Sequence, residues 1–402
     1  MLEDALKLYF DLHQHPELAG DEKRTAARFA GRLSECGLTV SSGIGGHGVL
    51  GMLRNGDGPA VLLRAELDAL PVTEQTGLPY AADEALGVMH ACGHDAHLAC
   101  LTGAAALLAR HADAWRGTLI VVGQPAEEDL SGAAAMLADG LYERCGRPDV
   151  VLAQHLTPLP AGWVAHAPEA VTAASRQMEL RIHGRGGHAG LRGLAVDPVP
   201  VAAAIVLKAG GIGDRMPAAV TIGTIRAGSR PNVIPDEVTL GVSMRAANTS
   251  VLDDARAELK RIADRHSRRA GCPQPPTLLT TSASPAGTND PVAGRTVREA
   301  HLLQVGASRL LTLPPSMATD DFPLFTLPDA ADPIPSVYWM IGATSPSAWA
   351  EAEGTSLVEK AANLPANHSA HFAPDPIRTL RTGIAAMTGA ALAFLTRPTG
   401  PT

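Results

Sequence analysis

The sequence predicts an α/β protein in two parts: a mostly parallel-sheet domain and, inserted into it, a βαββαβ unit of ferredoxin-like order. Three observations carry this. Short apolar runs alternate with helical stretches as far as about residue 154, the pattern of βαβ units. Near Val171 the character changes to strands in which apolar and polar residues alternate. At 402 residues the chain also exceeds the size at which one core usually keeps growing. The expected division is 1–171 with 283–402 for the first domain and 172–282 for the insert.

The elements follow in order. Ala5 to about Cys36 reads as helical, with a break at His15-Pro16-Glu17 and a stop at Gly37. Val61–Leu67 is a short buried strand that runs into Asp68. A helix is expected from about His94 to Leu108, a strand at Gly117–Gly123, a helix from Ser131 to about Tyr142 and a strand at Asp149–Gln154. Each of these three strands delivers reactive groups at or just past its C-terminal end: Glu66 and Asp68, then Glu127 and Glu128, then His155. In open α/β sheets that edge is where sites form.

The insert reads as strand Ser175–His183, helix Asp197–Ala209, strands Val220–Arg226 and Glu237–Arg245, helix Leu252–Arg269 and a last strand near Thr277–Thr281. The first domain then resumes with strand Pro335–Ile341, the loop Asn367–His371 and a Pro-started helix, Pro376 to about Phe394. The Pro/Thr tail after Arg397 is expected to fray.

Composition narrows the function classes. The chain is 46% hydrophobic and 18% charged, as folded proteins are, with net charge −8. No Lys/Arg cluster or basic-aromatic face suits nucleic acid, and no apolar run has the length of a membrane span. The start, Met1-Leu-Glu-Asp-Ala-Leu-Lys7, is acidic where a secretory leader is basic, so the cytoplasm is expected. Five widely spaced cysteines without a C-x-x-C pair argue against a disulfide framework or a zinc ribbon.

Chemistry concentrates in Gly87-Val-Met-His-Ala-Cys-Gly-His-Asp-Ala-His97 and in Gln124-Pro-Ala-Glu-Glu128. Thiolate, imidazole and carboxylate together form a transition-metal ligand set. Cys92 precedes an expected helix N-terminus, which favours thiolate. A nucleophilic Cys-His pair is the competing reading, but it leaves the two acids and the later histidines without roles. Adjacent carboxylates such as Glu127 and Glu128 are commonly a solvated loop. At a strand's catalytic edge they suit one ligand and one general base. His155 and His368 taken singly would be ordinary structural histidines, and His13, His15, His47, His90, His97 and His371 receive no role.

These motifs resemble the family of dinuclear-metal aminoacylases and carboxypeptidases, in its branch of N-acyl-amino-acid amidohydrolases, hippurate hydrolases and plant auxin-conjugate hydrolases. The likeness runs through Asp11-Leu-His-Gln-His-Pro-Glu17, Leu63–Pro71, Thr76–Tyr80, the two clusters above, Gly186–Ala189, Asn232–Asp236, Thr319–Phe322 and His368. It implies a metallohydrolase domain with an inserted lid and dimerisation domain. It implies Cys92, His94, Glu128, His155 and His368 as ligands of two divalent ions, zinc first and manganese, cobalt or nickel as further occupants, with Cys92 bridging. It implies Glu127 as general base and then acid, Asp68 as a supporting carboxylate, His188 as oxyanion stabiliser, and Asn232 and Arg245 as holders of the substrate carboxylate. The expected reaction is hydrolysis of an N-acyl amino acid by a homodimer. Dipeptide cleavage, or deacetylation of a biosynthetic intermediate, is the alternative; a metal-stabilised binding protein without catalysis is the remote one. Three positions depart from the pattern: Glu66 and Asp320 each exchange Asp and Glu, and Asp129-Leu-Ser-Gly132 replaces a Gly-rich run.

Overall fold

A computed structural model describes residues 1–168 and 170–396. The expected fraying of the tail after Arg397 lies outside the described residues. The chain divides into two compact units. Unit 1 comprises Met1–Val171, Thr288–Pro315 and the chain from Asp321 on; unit 2 comprises Thr172–Gly287 with Ser316–Asp320. The second unit thus runs five residues past the expected boundary at 282 and takes in a short return segment.

Unit 1 opens with helices α1 (Leu2–His13) and α2 (Lys23–Glu35), separated as the His15-Pro16 break implies. An antiparallel hairpin follows, β1 (Thr39–Ile44) and β2 (Gly48–Asn55). Sequence reading missed it because β1 is largely exposed and β2 carries glycines where an apolar repeat would show. Next come β3 (Ala60–Glu66), α3 (His94–Arg110) and β4 (Gly117–Gln124). The helix expected over Ser131–Tyr142 is instead two, α4 (Gly132–Ala138) and α5 (Leu141–Cys145), split at Gly140, whose φ of 80° no helix accommodates.

Strand β5 (Val150–Pro160) extends six residues past its expected end at Gln154. Its pairing with β3 covers only Val150–Ala153, so Pro158 and Pro160 lie beyond the stretch that pairs with β3, where a missing N–H does no harm on that side. β6 (Val164–His166) completes this half.

Unit 2 holds β7 (Ala174–His183), α6 (Pro198–Gly213), β8 (Ala218–Ala227), β9 (Glu237–Ala246), α7 (Thr249–Arg269) and β10 (Thr277–Ser284). The strands form one antiparallel sheet in the order β8-β9-β7-β10, the ferredoxin-like arrangement. Burial of β9 alternates strictly, and its inward residues Val238, Leu240, Val242 and Met244 meet Ile205 of α6 and Leu259 of α7 in one core.

Unit 1 resumes with α8 (Pro291–Val305), β11 (Leu310–Thr312), β12 (Ser336–Thr344) and α9 (Pro376–Leu395). Its eight-stranded sheet runs β1-β2-β4-β3-β5-β12-β6-β11. The β3–β4, β3–β5, β5–β12 and β6–β11 pairs are parallel. Strand residues alternate between two cores. Val61, Leu63, Val121 and Trp339 meet α1, α2, α3 and α9, while Leu62, Ile120, Val122 and Tyr338 meet α4 and α5. Covering both faces explains why these strands read as continuous apolar runs. It also leaves the C-terminal edge of β3, β4 and β5 as the place where polar groups can gather.

Candidate metal centre and active site

Parallel pairing in register, Glu66 beside Gln124, puts the ends of β3 and β4 level. Asp68 follows one end and Glu127 and Glu128 the other, while β5 carries His155 through the same edge inside the strand rather than at its end. Gly93 caps α3 with φ 91°, a turn wedged between Leu156 and Phe372 that favours glycine and presents Cys92 and His94 together. His368 arrives on a turn with its own φ at 70°, unusual for a residue with a side chain. The Asn367 side chain holds this turn by donating to the carbonyls of Cys92 (3.0 Å) and Leu156 (3.2 Å).

The five expected ligands and Glu127 converge. Cys92, His94 and His155 form one group of donors within 4.8 Å of one another, and Cys92, Glu128 and His368 form a second. Cys92 is common to both, as a bridging thiolate would be. Cys92 Sγ lies 3.3 Å from His155 Nε2, and Glu128 Oε1 lies 3.3 Å from His368 Nε2. His94 Nε2 stands 3.8 Å from Glu127 and 3.9 Å from Glu128.

Proton placement fits metal binding. His94 donates Nδ1–H to the Asp68 carbonyl (2.8 Å), and His155 donates Nδ1–H to the Leu156 carbonyl (2.7 Å). In each ring the lone pair is then on Nε2, which faces the cluster. Among the described residues, His94 Nε2 and Glu128 Oε1 are buried atoms with no hydrogen-bond partner aligned on them. Such an arrangement is costly unless a cation completes it. The donor set therefore fits divalent metal.

One electrostatic expectation fails. The helix N-terminus was expected to lower the Cys92 thiol pKa. Burial instead pushes it up, against the opposing pull of His94 and His368. A coordinated thiol is deprotonated by the ion itself, so thiolate here awaits metal. The acids act on the imidazoles in return. Cys92 and Glu128 raise the His368 pKa to about 10, which marks the negative charge gathered around this ring.

Several residues without a sequence-derived role support the cluster. His97 Nε2 accepts the Leu156 N–H at 2.9 Å, and its Nδ1–H donates to Glu66 Oε2 at 2.7 Å. Glu66 is paired in turn with Arg64, whose Nε donates to Gln124 (2.8 Å). Asp321 accepts from Gln124 (2.6 Å) and from the Ala133 N–H (2.9 Å) that opens α4. Burial would raise the Glu66 carboxyl, but Arg64 and His97 outweigh it and hold the group well below the usual carboxylate range. Glu66 is thus a support for the ring that positions Leu156. The signal for His97 was present, three positions after His94 on one helix, but spacing alone does not tell a ligand from a support.

His13 is likewise buried, held between Asp95 (2.6 Å) and Glu74 (3.1 Å). It ties α1 to the residue beside His94. Burial opposes its charged form, yet the two acids raise it to about 9.

Asp68 behaves as the supporting carboxylate in geometry: its Oδ2 accepts the Glu128 N–H at 2.9 Å. In unit 2, His188 and Asn232 lie together on a small ladder, where His188 faces Val233 and the Ala189 N–H donates to the Asn232 carbonyl (3.1 Å). Arg245 is elsewhere. It sits near the far end of β9, about 26 Å along the strand at ~3.3 Å per residue, and its guanidinium donates to the Met317 carbonyl (3.3 Å). The length of β9 thus separates Arg245 from the end of the strand that follows Asn232.

Residues 62–365 match the description of peptidase family M20/M25/M40. The chain belongs to this family. An M20 relative, the N-acetyl-L-cysteine deacetylase of Bacillus subtilis (strain 168), is 33% identical over 319 residues, which are 77% of this chain and 74% of that one. The hippurate hydrolase of Campylobacter jejuni is 38% identical over 247 residues, 60% of this chain and 63% of its own. Among solved structures, the Bacillus subtilis YXEP protein, described as a dinuclear metal-binding peptidase of the M20 family, superposes with a TM-score of 0.75 at 25% identity over 98% of both chains. This M20 chain is accordingly a metal-dependent amide hydrolase.

Proposed function

We propose that the chain hydrolyses N-acyl amino acids to a carboxylic acid and a free amino acid. The observation that carries the reading is Glu127. It is a buried acid within reach of the ligand cluster, and its neighbour Glu128 already supplies the carboxylate that the donor set needs. Cys92, His94, Glu128, His155 and His368 would hold two divalent ions, zinc first by the mixture of thiolate and imidazole, with manganese, cobalt or nickel as competitors. Bound metal supplies Lewis acidity and a more acidic water. Glu127 takes the proton of the attacking water and returns it to the leaving amine.

His188, at an exposed turn of unit 2, is proposed to stabilise the oxyanion, a contribution of about 3–4 kcal/mol for a well-placed donor. Asn232 and Arg245 are proposed to contact the substrate carboxylate. Because Asn232 lies just before β9 and Arg245 near its far end, one of them would come from a second copy. A homodimer suits this, and the unit offers an open edge: β8 ends the sheet, Ile225 on it is 60% exposed and Leu207 on α6 is 81% exposed. All five cysteines are free, which fits a reducing cytoplasm. Among the described residues no helix is long and apolar enough to cross a membrane.

The test is a panel of N-acetyl, N-benzoyl and long-chain N-acyl amino acids, with dipeptides alongside, assayed after metal loading and again with chelator. Chelator-sensitive release of an amino acid from at least one acyl substrate is expected. Failure on every acyl substrate, with or without dipeptide cleavage, would overturn the reading.

A further inference from the structure

We propose that Glu22 is a positioning residue for Glu127, clamping the turn from which both active-site acids project. Glu22 is fully buried at the start of α2, and its Oε1 accepts the Ala126 N–H at 2.8 Å across more than a hundred residues of sequence. Its second oxygen is buried without a partner among the described residues. Although Glu22 is the N-cap residue of α2, its side chain makes no capping hydrogen bond, so helix capping does not account for an acid there. Burial raises its carboxyl pKa, and a group held at such a cost has to be repaid by what it fixes.

What it fixes is an improbable backbone. Ala126 has φ 47°, a left-handed conformation that a residue with a Cβ adopts rarely. Beyond it the turn is closed by Leu130 N–H to the Glu127 carbonyl (2.7 Å) and by Gly132 N–H to the Ala126 carbonyl (3.2 Å). The amides flanking Glu127 are thus each held by a carboxylate from another segment: Ala126 by Glu22, Glu128 by Asp68. Glu22 is itself secured, because Glu17 accepts the N–H groups of Arg24 (3.0 Å) and Thr25 (2.7 Å) in the next turn. The N-terminal His-Pro-Glu motif and the acid pair thereby become one construction.

This rests on Glu127 being the general base, and the test separates the two ideas. Glu22→Ala, Glu22→Asp and Glu22→Gln are compared with the wild-type chain for kcat, KM, bound metal and hydrogen exchange at the Ala126 amide. For Glu22→Ala, kcat should fall roughly 100-fold, the scale of a ~1 Å misplacement, while KM and metal content stay at the wild-type level and exchange at Ala126 accelerates. Gln, which keeps the acceptor oxygen, should restore most of kcat and the protection. Asp, one methylene short, should fall between. Wild-type kcat in Glu22→Ala overturns the proposal. So does a parallel loss of kcat, metal and melting temperature that Gln does not rescue. If the wild-type chain hydrolyses nothing on the panel, the exchange measurement still decides: unchanged exchange at Ala126 in Glu22→Ala overturns the clamp, and acceleration rescued by Gln supports it.

Discussion

His94 and His301 are both fully buried in unit 1, yet they are opposites. His301 is satisfied on both sides. Its Nε2–H donates to the Ala386 carbonyl (3.0 Å), its Nδ1 accepts from His166 (2.9 Å), and its ring packs edge-on against Trp339. No acid is bonded to it, and burial drives it down to about 4 and its partner His166 to about 3. His94 has one nitrogen anchored and the other pointing unpaired at a thiol and two carboxylates, and its pKa is raised well above the ordinary value despite burial. The difference teaches what fits a buried histidine to bind metal. The residue type is the same; a second nitrogen left without an aligned hydrogen-bond partner and the surrounding negative charge decide.

The contrast can be broken at several strengths. The strongest probe is Glu127→Gln, which keeps the shape of the acid while removing its basicity. It should lower kcat by about 10²–10⁴ with metal content intact, measured by turnover alongside elemental analysis. Retained turnover would mean that Glu127 is not the general base.

A weaker perturbation is His97→Ala, which removes the ring that positions Leu156 without touching a ligand. Metal affinity should drop roughly 10–100-fold, read by competition with a chelating dye. An unchanged affinity would show that the Glu66–His97 support is dispensable.

His301→Leu, by contrast, should cost about 1–3 kcal/mol of stability, since it strands the His166 donor and the Ala386 carbonyl, and should leave kcat where it was. Urea unfolding and turnover on the same preparation would check both, and a loss of turnover would erase the distinction between the two histidines. The same pair sets an acid limit. Its folded pKa values lie below the unfolded value of 6.5, so its contribution is complete above pH 6.5 and is lost as pH falls towards about 4. Stability should decline in that window by up to ~1.4 kcal/mol per pH unit per histidine, and more shallowly in His301→Leu.

Much of this was readable from the chain because the catalytic edge is built from strand ends, and strand ends are visible as apolar runs that stop at charged residues. Glu66, Asp68, Glu127 and Glu128 each come at or just after such a stop, whereas Cys92 and His94 were legible from their own clustering at the start of α3. His155 was legible as a residue, although its strand was expected to end at Gln154 and runs on to Pro160. The β1–β2 hairpin left little trace, since one strand is mostly exposed and the other rich in glycine. The supports were illegible for a deeper reason. Glu22, Glu66 and His97 act through bonds to backbone or to one another across 31 to 104 residues, and no local pattern encodes a partner so far away. The separation of Asn232 from Arg245 needed β9 as a physical length.

The strained turn at His368 has a consequence in time. Cys92, His94, Glu128 and His155 all precede the insert, and His368 comes more than two hundred residues after the last of them. On a ribosome adding ~5–20 residues per second, roughly 10–40 s therefore separate the synthesis of His155 from that of His368, the last of the proposed ligands. If His368 completes the proposed set, loading of two ions would wait for the finished polypeptide, with the Asn367–His368 turn formed last.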